Sequence, residues 1–162
     1  GFYGVGIPTL EQVVEALIER DMGLNLEIKP CAEREVETAE AALDILSSIW
    51  DDHERLLVSS FQYECLGVAY DMVEAWHRGL LLGDEWPENW QEIASGLNVS
   101  TVNLNGNTAS DDQIRAAISF GKPVLAFTIN EAERARELQG LGVNGFFSDE
   151  PDVLIDGILS VH

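Results

Sequence analysis

The chain has 162 residues, of which 46% are hydrophobic, and 29 acidic against 9 basic residues give it a formal net charge of −20. That length and apolar content suffice for one domain with a buried core but not for two. The negative charge disfavours nucleic acid and anionic membrane surfaces as partners, and no apolar run reaches the ~20 residues that cross a bilayer. An anionic substrate would therefore need a locally positive site.

Two features of the sequence bear on its cellular setting. Cys31 and Cys65 are the only cysteines, and they lack the spacing of metal ligands. We therefore expect two reduced thiols in a cytoplasmic protein, and no signal-peptide pattern opens the chain. The first residue is Gly1 rather than methionine, so we expect the native chain to begin earlier.

Strand-like segments and helical patterns alternate along the chain. The first helix opens with a capping box of Thr9 and Gln12. Six strands are predicted to begin near Leu24, Leu56, Gly79, Val102, Val124 and Gly145. Helical patterns follow most of them, with caps predicted at Ser110 and Asn130 and with Pro151 in the first turn of the last helix. Such alternation predicts parallel strands, in either a doubly wound sheet or a (β/α)8 barrel.

Two observations favour the barrel. The GxGxxG fingerprint of a dinucleotide-binding sheet is missing after the predicted strands. Polar residues also alternate within several strands, which suits a barrel interior with its active site at the carboxyl ends of the strands. These residues are Glu27, Lys29, Ser59, Asn103 and Asn105. Six strands leave such a barrel short of about two βα units, and we expect the missing units at the N-terminus because no strand precedes the first helix.

The segment 24–29 is the clearest strand. Its apolar residues, Leu24, Leu26 and Ile28, alternate with Asn25, Glu27 and Lys29. At the edge of a sheet, Glu27 and Lys29 would simply face water. In the wall of a barrel they would point inward near its carboxyl mouth, where each charge needs a partner, a metal ion or an anionic ligand.

Several motifs together resemble the glycerophosphodiester phosphodiesterase family, in its compact bacterial cytoplasmic form. The motifs span nearly the whole chain at near-correct spacing, which makes the combination highly specific. In chain order they are Ile7-Pro8-Thr9-Leu10-Glu11-Gln12-Val13, Leu24-Asn25-Leu26-Glu27-Ile28-Lys29, Val58-Ser59-Ser60-Phe61, Arg78-Gly79-Leu80-Leu81-Leu82, Phe127-Thr128-Ile129-Asn130 and Gly145-Phe146-Phe147-Ser148-Asp149-Glu150-Pro151.

The resemblance implies an α/β fold of the (β/α)8 type that lacks about its first two βα units here. It also implies hydrolysis of glycerophosphodiesters to an alcohol and glycerol 3-phosphate, with Mg²⁺ or Ca²⁺. Glu27 matches a metal carboxylate of the family, and Lys29 matches the lysine that contacts the phosphate. Phe61 and Phe127 match aromatic positions beside the substrate, although Phe127 replaces the usual tryptophan and lacks its indole donor. The chemistry agrees, because a hard cation prefers carboxylate oxygens.

Other parts of the family's site are absent from the chain. They are the catalytic His-Arg-Gly motif, an E-x-D pair of metal carboxylates and a second catalytic histidine, all of which the resemblance assigns to the first two strands. His77-Arg78-Gly79 has the same letters at a later strand, so we interpret His77 as the end of the preceding helix. We interpret His53 and His162 as solvent-exposed.

Two functions are therefore open. In the first, residues 1–162 are a single domain, the carboxyl-terminal part of a phosphodiesterase that acts on a small-molecule substrate by metal-assisted acid–base catalysis. In the second, the chain is a non-catalytic partial barrel or inactive relative that binds a phosphodiester or a protein. We expect the 162 residues alone to be inactive, and to dimerise or to pair with a retained N-terminal fragment. Comparing the intact mass with the length that the gene encodes discriminates between the two.

Overall fold

The structure is a computed structural model, and it describes residue 4 and residues 6–159. The chain divides into two compact units, Gly1–Arg78 and Gly79–His162. The first unit contains α1 (Leu10–Glu19), β1 (Leu24–Glu27), α2 (Glu35–Ile49), a 3₁₀ turn (His53–Arg55), β2 (Leu56–Ser60) and α3 (Tyr63–Met72). Strand β3 (His77–Leu82) begins in the first unit and continues into the second. The second unit then contains α4 (Trp90–Gly96), β4 (Thr101–Asn105), α5 (Asp111–Ser119), β5 (Val124–Phe127), α6 (Ala132–Leu141), β6 (Gly145–Phe146) and α7 (Pro151–Leu159).

The first unit is built on a parallel pair of strands. β1 and β2 run in register from Leu24 opposite Leu56 to Glu27 opposite Ser59. Apolar side chains from the three helices and both strands form its core, which includes Val14, Leu43, Leu46, Val58 and Ala69. The predicted capping box opens α1: the Thr9 hydroxyl accepts from the Gln12 amide, and the Gln12 side chain accepts from the Thr9 amide.

The second unit contains four parallel strands. β3 pairs with β4, β4 with β5 and β5 with β6. Its core comprises alternate residues of the strands and one face each of α5 and α6, among them Val102, Leu104, Val124, Ala126, Ile114 and Leu138. Ser110 caps α5 as predicted, and with Gln113 it forms a capping box. Helix α6 is followed by Gly142 at its C-cap, in the left-handed conformation that favours glycine.

A polar face runs along β4. Thr101, Asn103 and Asn105 share it, because alternate residues of a strand point the same way. Gly79 lies opposite Thr101 in β3, and a Cβ at this glycine would come within 2.8 Å of the Thr101 hydroxyl and 2.9 Å of Asn103 Nδ2. Asn103 is fully buried, and its Nδ2 has no hydrogen-bond partner among the described residues. This burial agrees with the predicted interior position of Asn103.

The element boundaries differ from the prediction in three places. β1 ends at Glu27 instead of continuing to Lys29. α3 ends at Met72, so the interpretation of His77 as a helix end is wrong, and His77 is instead the first residue of β3. Glu131 rather than Asn130 occupies the cap position of α6, because the Asn130 side chain bonds to Ser148 and Asp149 instead.

No helix in the described part of the chain is long and apolar enough to cross a membrane. Both cysteines are free thiols, with Cys31 exposed and Cys65 buried. Desolvation raises the pKa of the Cys65 thiol, which favours its neutral form.

Candidate active site

The position of Glu27 and Lys29 is fixed by the residue between them. The amide of Ile28 donates to the Ser59 carbonyl at 2.8 Å, and the Ser60 hydroxyl donates to the Ile28 carbonyl at 2.7 Å. The Ile28 side chain is buried in the core of the first unit. Both peptide groups of Ile28 are therefore bound to β2, just beyond the end of β1.

Glu27 and Lys29 form an ion pair on the opposite face from Ile28. Lys29 Nζ lies 3.2 Å from Glu27 Oε1, and the two side chains are 73% and 33% exposed, respectively. An ion pair this accessible contributes at most about 1 kcal/mol to stability. Both side chains are therefore accessible to a ligand, and their ion pair contributes little to the stability of the fold.

Further side chains of the first unit lie near the end of β2. Ser59, opposite Glu27 in the strand pair, is buried and donates its hydroxyl proton to Asn25 Oδ1 at 3.0 Å. Phe61 follows β2 directly, and 38% of its surface is exposed. An accessible aromatic ring therefore stands at the carboxyl end of the strand that supports the Glu27–Lys29 pair.

Phe127 belongs to the second unit. It is the last residue of β5, is half-buried, and lies in register with Asn105 of β4. Its carbonyl accepts the Gly106 amide at 3.0 Å, which ties the end of β5 to the segment after β4. Phe127, like Phe61, thus stands at the carboxyl end of a strand.

The segment after β3 contains a polar network that the sequence did not reveal. Asp84 Oδ1 accepts hydrogen bonds from Asn105 Nδ2 at 2.9 Å and from the Thr108 hydroxyl at 2.7 Å. Asn105 was predicted to line the interior because it alternates with Asn103. Asp84 and Thr108 could not be predicted from strand alternation, because they lie in two loops that come together only in the folded chain.

Two tryptophans follow Asp84. The Trp86 indole donates to the Gly83 carbonyl at 2.9 Å, and its ring meets Trp90 edge to face with centroids 5.6 Å apart. Trp90 is buried and also contacts Phe120. Trp90 therefore has a packing role, and Trp86 is fixed against it.

In the motif His77-Arg78-Gly79, the last two residues have structural roles. Arg78 is 2% exposed, donates to the carbonyls of Glu74 and Trp76, and lies 5.0 Å from the centre of the Tyr70 ring. Burial lowers the pKa of its guanidinium. Gly79 permits the close approach of β4 described above.

The described histidines lie away from the carboxyl ends of the strands. His77 is exposed at the amino end of β3, whereas barrel enzymes bind substrate at the carboxyl ends. His53 is exposed, as predicted, and its ring lies 5.3 Å from that of Trp76. His162 lies outside the described residues.

Within the described residues, no group of three or more His, Cys, Asp or Glu side chains could hold a metal ion. Glu27 offers one hard carboxylate, and its nearest charged partner is an ammonium. A hard cation takes about six oxygen ligands, so these residues do not form a complete cation site by themselves.

Comparison with known proteins identifies the family. The model of the glycerophosphoryl diester phosphodiesterase family matches residues 2–153. The chain belongs to this family. Its fold is similar to a phosphodiesterase of Oleispira antarctica solved with the product sn-glycerol-3-phosphate, at 34% identity and a TM-score of 0.85, over 94% of this chain and 61% of that one. A glycerophosphodiester phosphodiesterase of Thermotoga maritima matches at 23% identity and a TM-score of 0.68, over 94% and 63% of the two chains.

Curated relatives agree with the solved structures. A glycerophosphodiester phosphodiesterase of Bacillus altitudinis is 26% identical over 153 residues, which are 91% of this chain and 61% of the relative. The chain thus spans about three fifths of the length of the relatives that it matches. The predicted family and the predicted partial (β/α)8 barrel are confirmed, by the family match and by the similarity to solved members. The roles of Glu27, Lys29, Phe61 and Phe127 stay predictions.

The placement of His77 leads to a first prediction. If the whole protein hydrolyses glycerophosphodiesters, His77→Ala should leave that activity within a few-fold of the unmodified protein, because the residue lies at the amino end of its strand. Steady-state hydrolysis of a glycerophosphodiester measures this. A loss of about a thousandfold, as expected on removing an acid–base group, would show that His77 is catalytic.

Proposed function

We propose that the whole protein hydrolyses glycerophosphodiesters to an alcohol and glycerol 3-phosphate. The observation that supports this most directly is the Glu27–Lys29 pair, an accessible carboxylate and ammonium 3.2 Å apart beyond β1, in a chain of the phosphodiesterase family. The Oleispira antarctica phosphodiesterase, with 34% identity, was solved with sn-glycerol-3-phosphate as its product. A small phosphodiester is therefore the substrate class that we assign.

Lys29 is proposed to bind the phosphoryl group. Its ammonium can donate to a phosphoryl oxygen and stabilise the negative charge that develops there in the transition state. The side chain is 73% exposed, and among the described residues its ion-pair partner is Glu27, so it can turn from the carboxylate to a bound phosphate without disturbing the core. In a chain with net charge −20, this is the local positive charge that an anionic substrate requires.

Glu27 is proposed as one ligand of the divalent cation, Mg²⁺ or Ca²⁺. When bound, such a cation polarises phosphoryl oxygens as a Lewis acid. Glu27 would supply a carboxylate oxygen to it, and the resemblance implies that further ligands and the acid–base histidines come from parts of the family's barrel that the 162 residues do not include. Phe61 and Phe127 are proposed to contact the apolar side of the substrate. The cytoplasmic location and the oligomeric state stay predictions.

The second candidate is a binding module without turnover. It would use the same accessible Lys29 to hold a phosphodiester, and the observation that favours it is this exposed ammonium, which can bind a phosphate without a cation. The two candidates differ in whether the whole protein, supplied with Mg²⁺ or Ca²⁺, releases glycerol 3-phosphate from a glycerophosphodiester. Turnover supports the enzyme, whereas binding without turnover supports the module.

The role of Glu27 can be tested by removing its charge. Glu27→Gln in the whole protein should weaken Mg²⁺ or Ca²⁺ binding by more than about tenfold, because an amide lacks the charge that a hard cation prefers. Calorimetric titration of the cation measures this, and turnover should fall by orders of magnitude. Glu40→Gln, the same change at an exposed position of α2, is the matched control and should change neither. Unaltered cation affinity in Glu27→Gln would contradict the assignment.

The role of Lys29 predicts a different pattern. Lys29→Ala should weaken inhibition by glycerol 3-phosphate by about tenfold or more, the loss expected for a hydrogen bond to a charged group, while cation affinity changes only a few-fold. Product inhibition kinetics and calorimetry measure the two effects separately. Lys122→Ala, at another exposed lysine, is the control. If inhibition by glycerol 3-phosphate is unchanged, Lys29 is only a structural partner of Glu27.

A further inference from the structure

Asp84 is held by the side chains of a neighbouring loop. It lies two residues beyond β3, and a single oxygen, Oδ1, accepts from Asn105 Nδ2 at 2.9 Å and from the Thr108 hydroxyl at 2.7 Å. Asn105 is fixed in turn, because its Oδ1 accepts the amide of Asn107 at 3.1 Å. The Asn107 side chain donates to the Thr128 carbonyl at 2.9 Å. The orientation of the Asp84 carboxylate is therefore set by segments that follow β3, β4 and β5.

The charge of Asp84 is not needed for these contacts. Both donors are neutral, and an amide oxygen could accept the same two hydrogen bonds. Among the ion pairs of the described residues, none includes Asp84, and its Oδ2 makes no hydrogen bond to a described residue. The side chain is exposed. The network thus orients the Asp84 carboxylate and leaves its Oδ2 oxygen accessible to solvent. No basic side chain in the described part of the chain forms an ion pair with it.

This carboxylate lies at the carboxyl ends of the strands. Asp84 and Asn105 stand at the carboxyl ends of β3 and β4, the end at which barrel enzymes bind their substrates. Asn105 is in register with Phe127, the residue proposed to contact the substrate, and the adjacent Gly106 amide bonds to the Phe127 carbonyl. Within the second unit, the carboxylate and the aromatic residue therefore belong to one group of strand ends.

We propose that Asp84 is a specificity-determining residue, which accepts a hydrogen bond from the hydroxyl or ammonium group of the alcohol released by the reaction. Asn105 and Thr108 are positioning residues, because they fix the carboxylate without contacting the alcohol themselves. The proposal rests on the proposed function. It requires that substrates with a donor in the leaving alcohol are preferred over substrates without one, since an oriented carboxylate gains nothing from an apolar group.

The test compares three substrates in the whole protein. They are glycerophosphoglycerol, with hydroxyl donors in the leaving alcohol, glycerophosphoethanolamine, with an ammonium, and the methyl ester of glycerol 3-phosphate, with neither. Asp84→Asn keeps the shape and the Oδ1 contacts but replaces the accepting oxygen with an amide donor. It should lower kcat/KM about tenfold or more for a donor-bearing substrate, the effect of a lost hydrogen bond to a charged group, and change the methyl ester less than about twofold.

Two further variants serve as controls. Glu85→Gln removes a neighbouring exposed charge without touching the network, and kcat/KM for all three substrates should stay within about twofold. Thr108→Val removes one of the two donors that orient the carboxylate, and it should reproduce the substrate pattern of Asp84→Asn with a smaller loss. Thermal unfolding of each variant shows whether the fold is intact.

The outcomes separate this inference from the proposed function. A loss confined to the hydroxyl substrate, to the ammonium substrate or to both supports the role of Asp84 and names the donor. An equal loss on all three substrates, or no loss on any, overturns it, because the carboxylate would then be structural or unused. If the unmodified whole protein hydrolyses none of the three, including the methyl ester, the proposed function itself fails.

Discussion

The hydrogen bonds between Ile28 and β2 are the constraint on which the candidate site depends. β1 ends at Glu27, and the chain would be free to diverge there if the Ile28 amide and carbonyl were not bound to Ser59 and Ser60. Burial of the Ile28 side chain reinforces these bonds, because leaving its position would expose apolar surface and break two hydrogen bonds. The alternation of the backbone then places Glu27 and Lys29 together on the opposite face. The geometry of the ion pair is thus a consequence of packing in the first unit.

The acidic composition of the chain makes the exposed ammonium of that ion pair important for binding an anionic substrate. With 9 basic against 29 acidic residues, the net charge of the chain repels an anionic substrate. Several of the basic side chains are already committed: Arg78 is buried against Tyr70, and Arg55 binds Asp21 and Asp52. Lys29 differs in being largely exposed at the end of a strand while paired with a carboxylate that is itself accessible. If Lys29 released Glu27 and bound a phosphoryl group instead, its ammonium would still be paired with a negative charge. The substrate would then lie at the end of the strand.

The sequence predicted the regular elements well because they depend on local signals. Hydrophobic periodicity located the strands to within about two residues, and the capping box at Thr9 and the cap at Ser110 are present as predicted. The misses depend on tertiary contacts. The Asn130 side chain is drawn to the loop that contains Asp149, so it does not cap α6, and α3 stops at Met72 before the core residue Trp76. The Asp84 network was not predicted for the same reason, because Asn105 and Thr108, which donate to Asp84, lie more than 20 residues from it in the chain.

In the proposed site, Lys29 binds the phosphate and Glu27 binds the cation. A crystal structure of the whole protein with glycerol 3-phosphate and Mg²⁺ or Ca²⁺ would examine both roles in one measurement. We expect a phosphate oxygen about 3 Å from Lys29 Nζ and a Glu27 oxygen within about 2.6 Å of the cation, with the Lys29–Glu27 contact lengthened. A phosphate bound away from Lys29, with the ion pair kept at 3.2 Å, would show that Lys29 is not the phosphate-binding group.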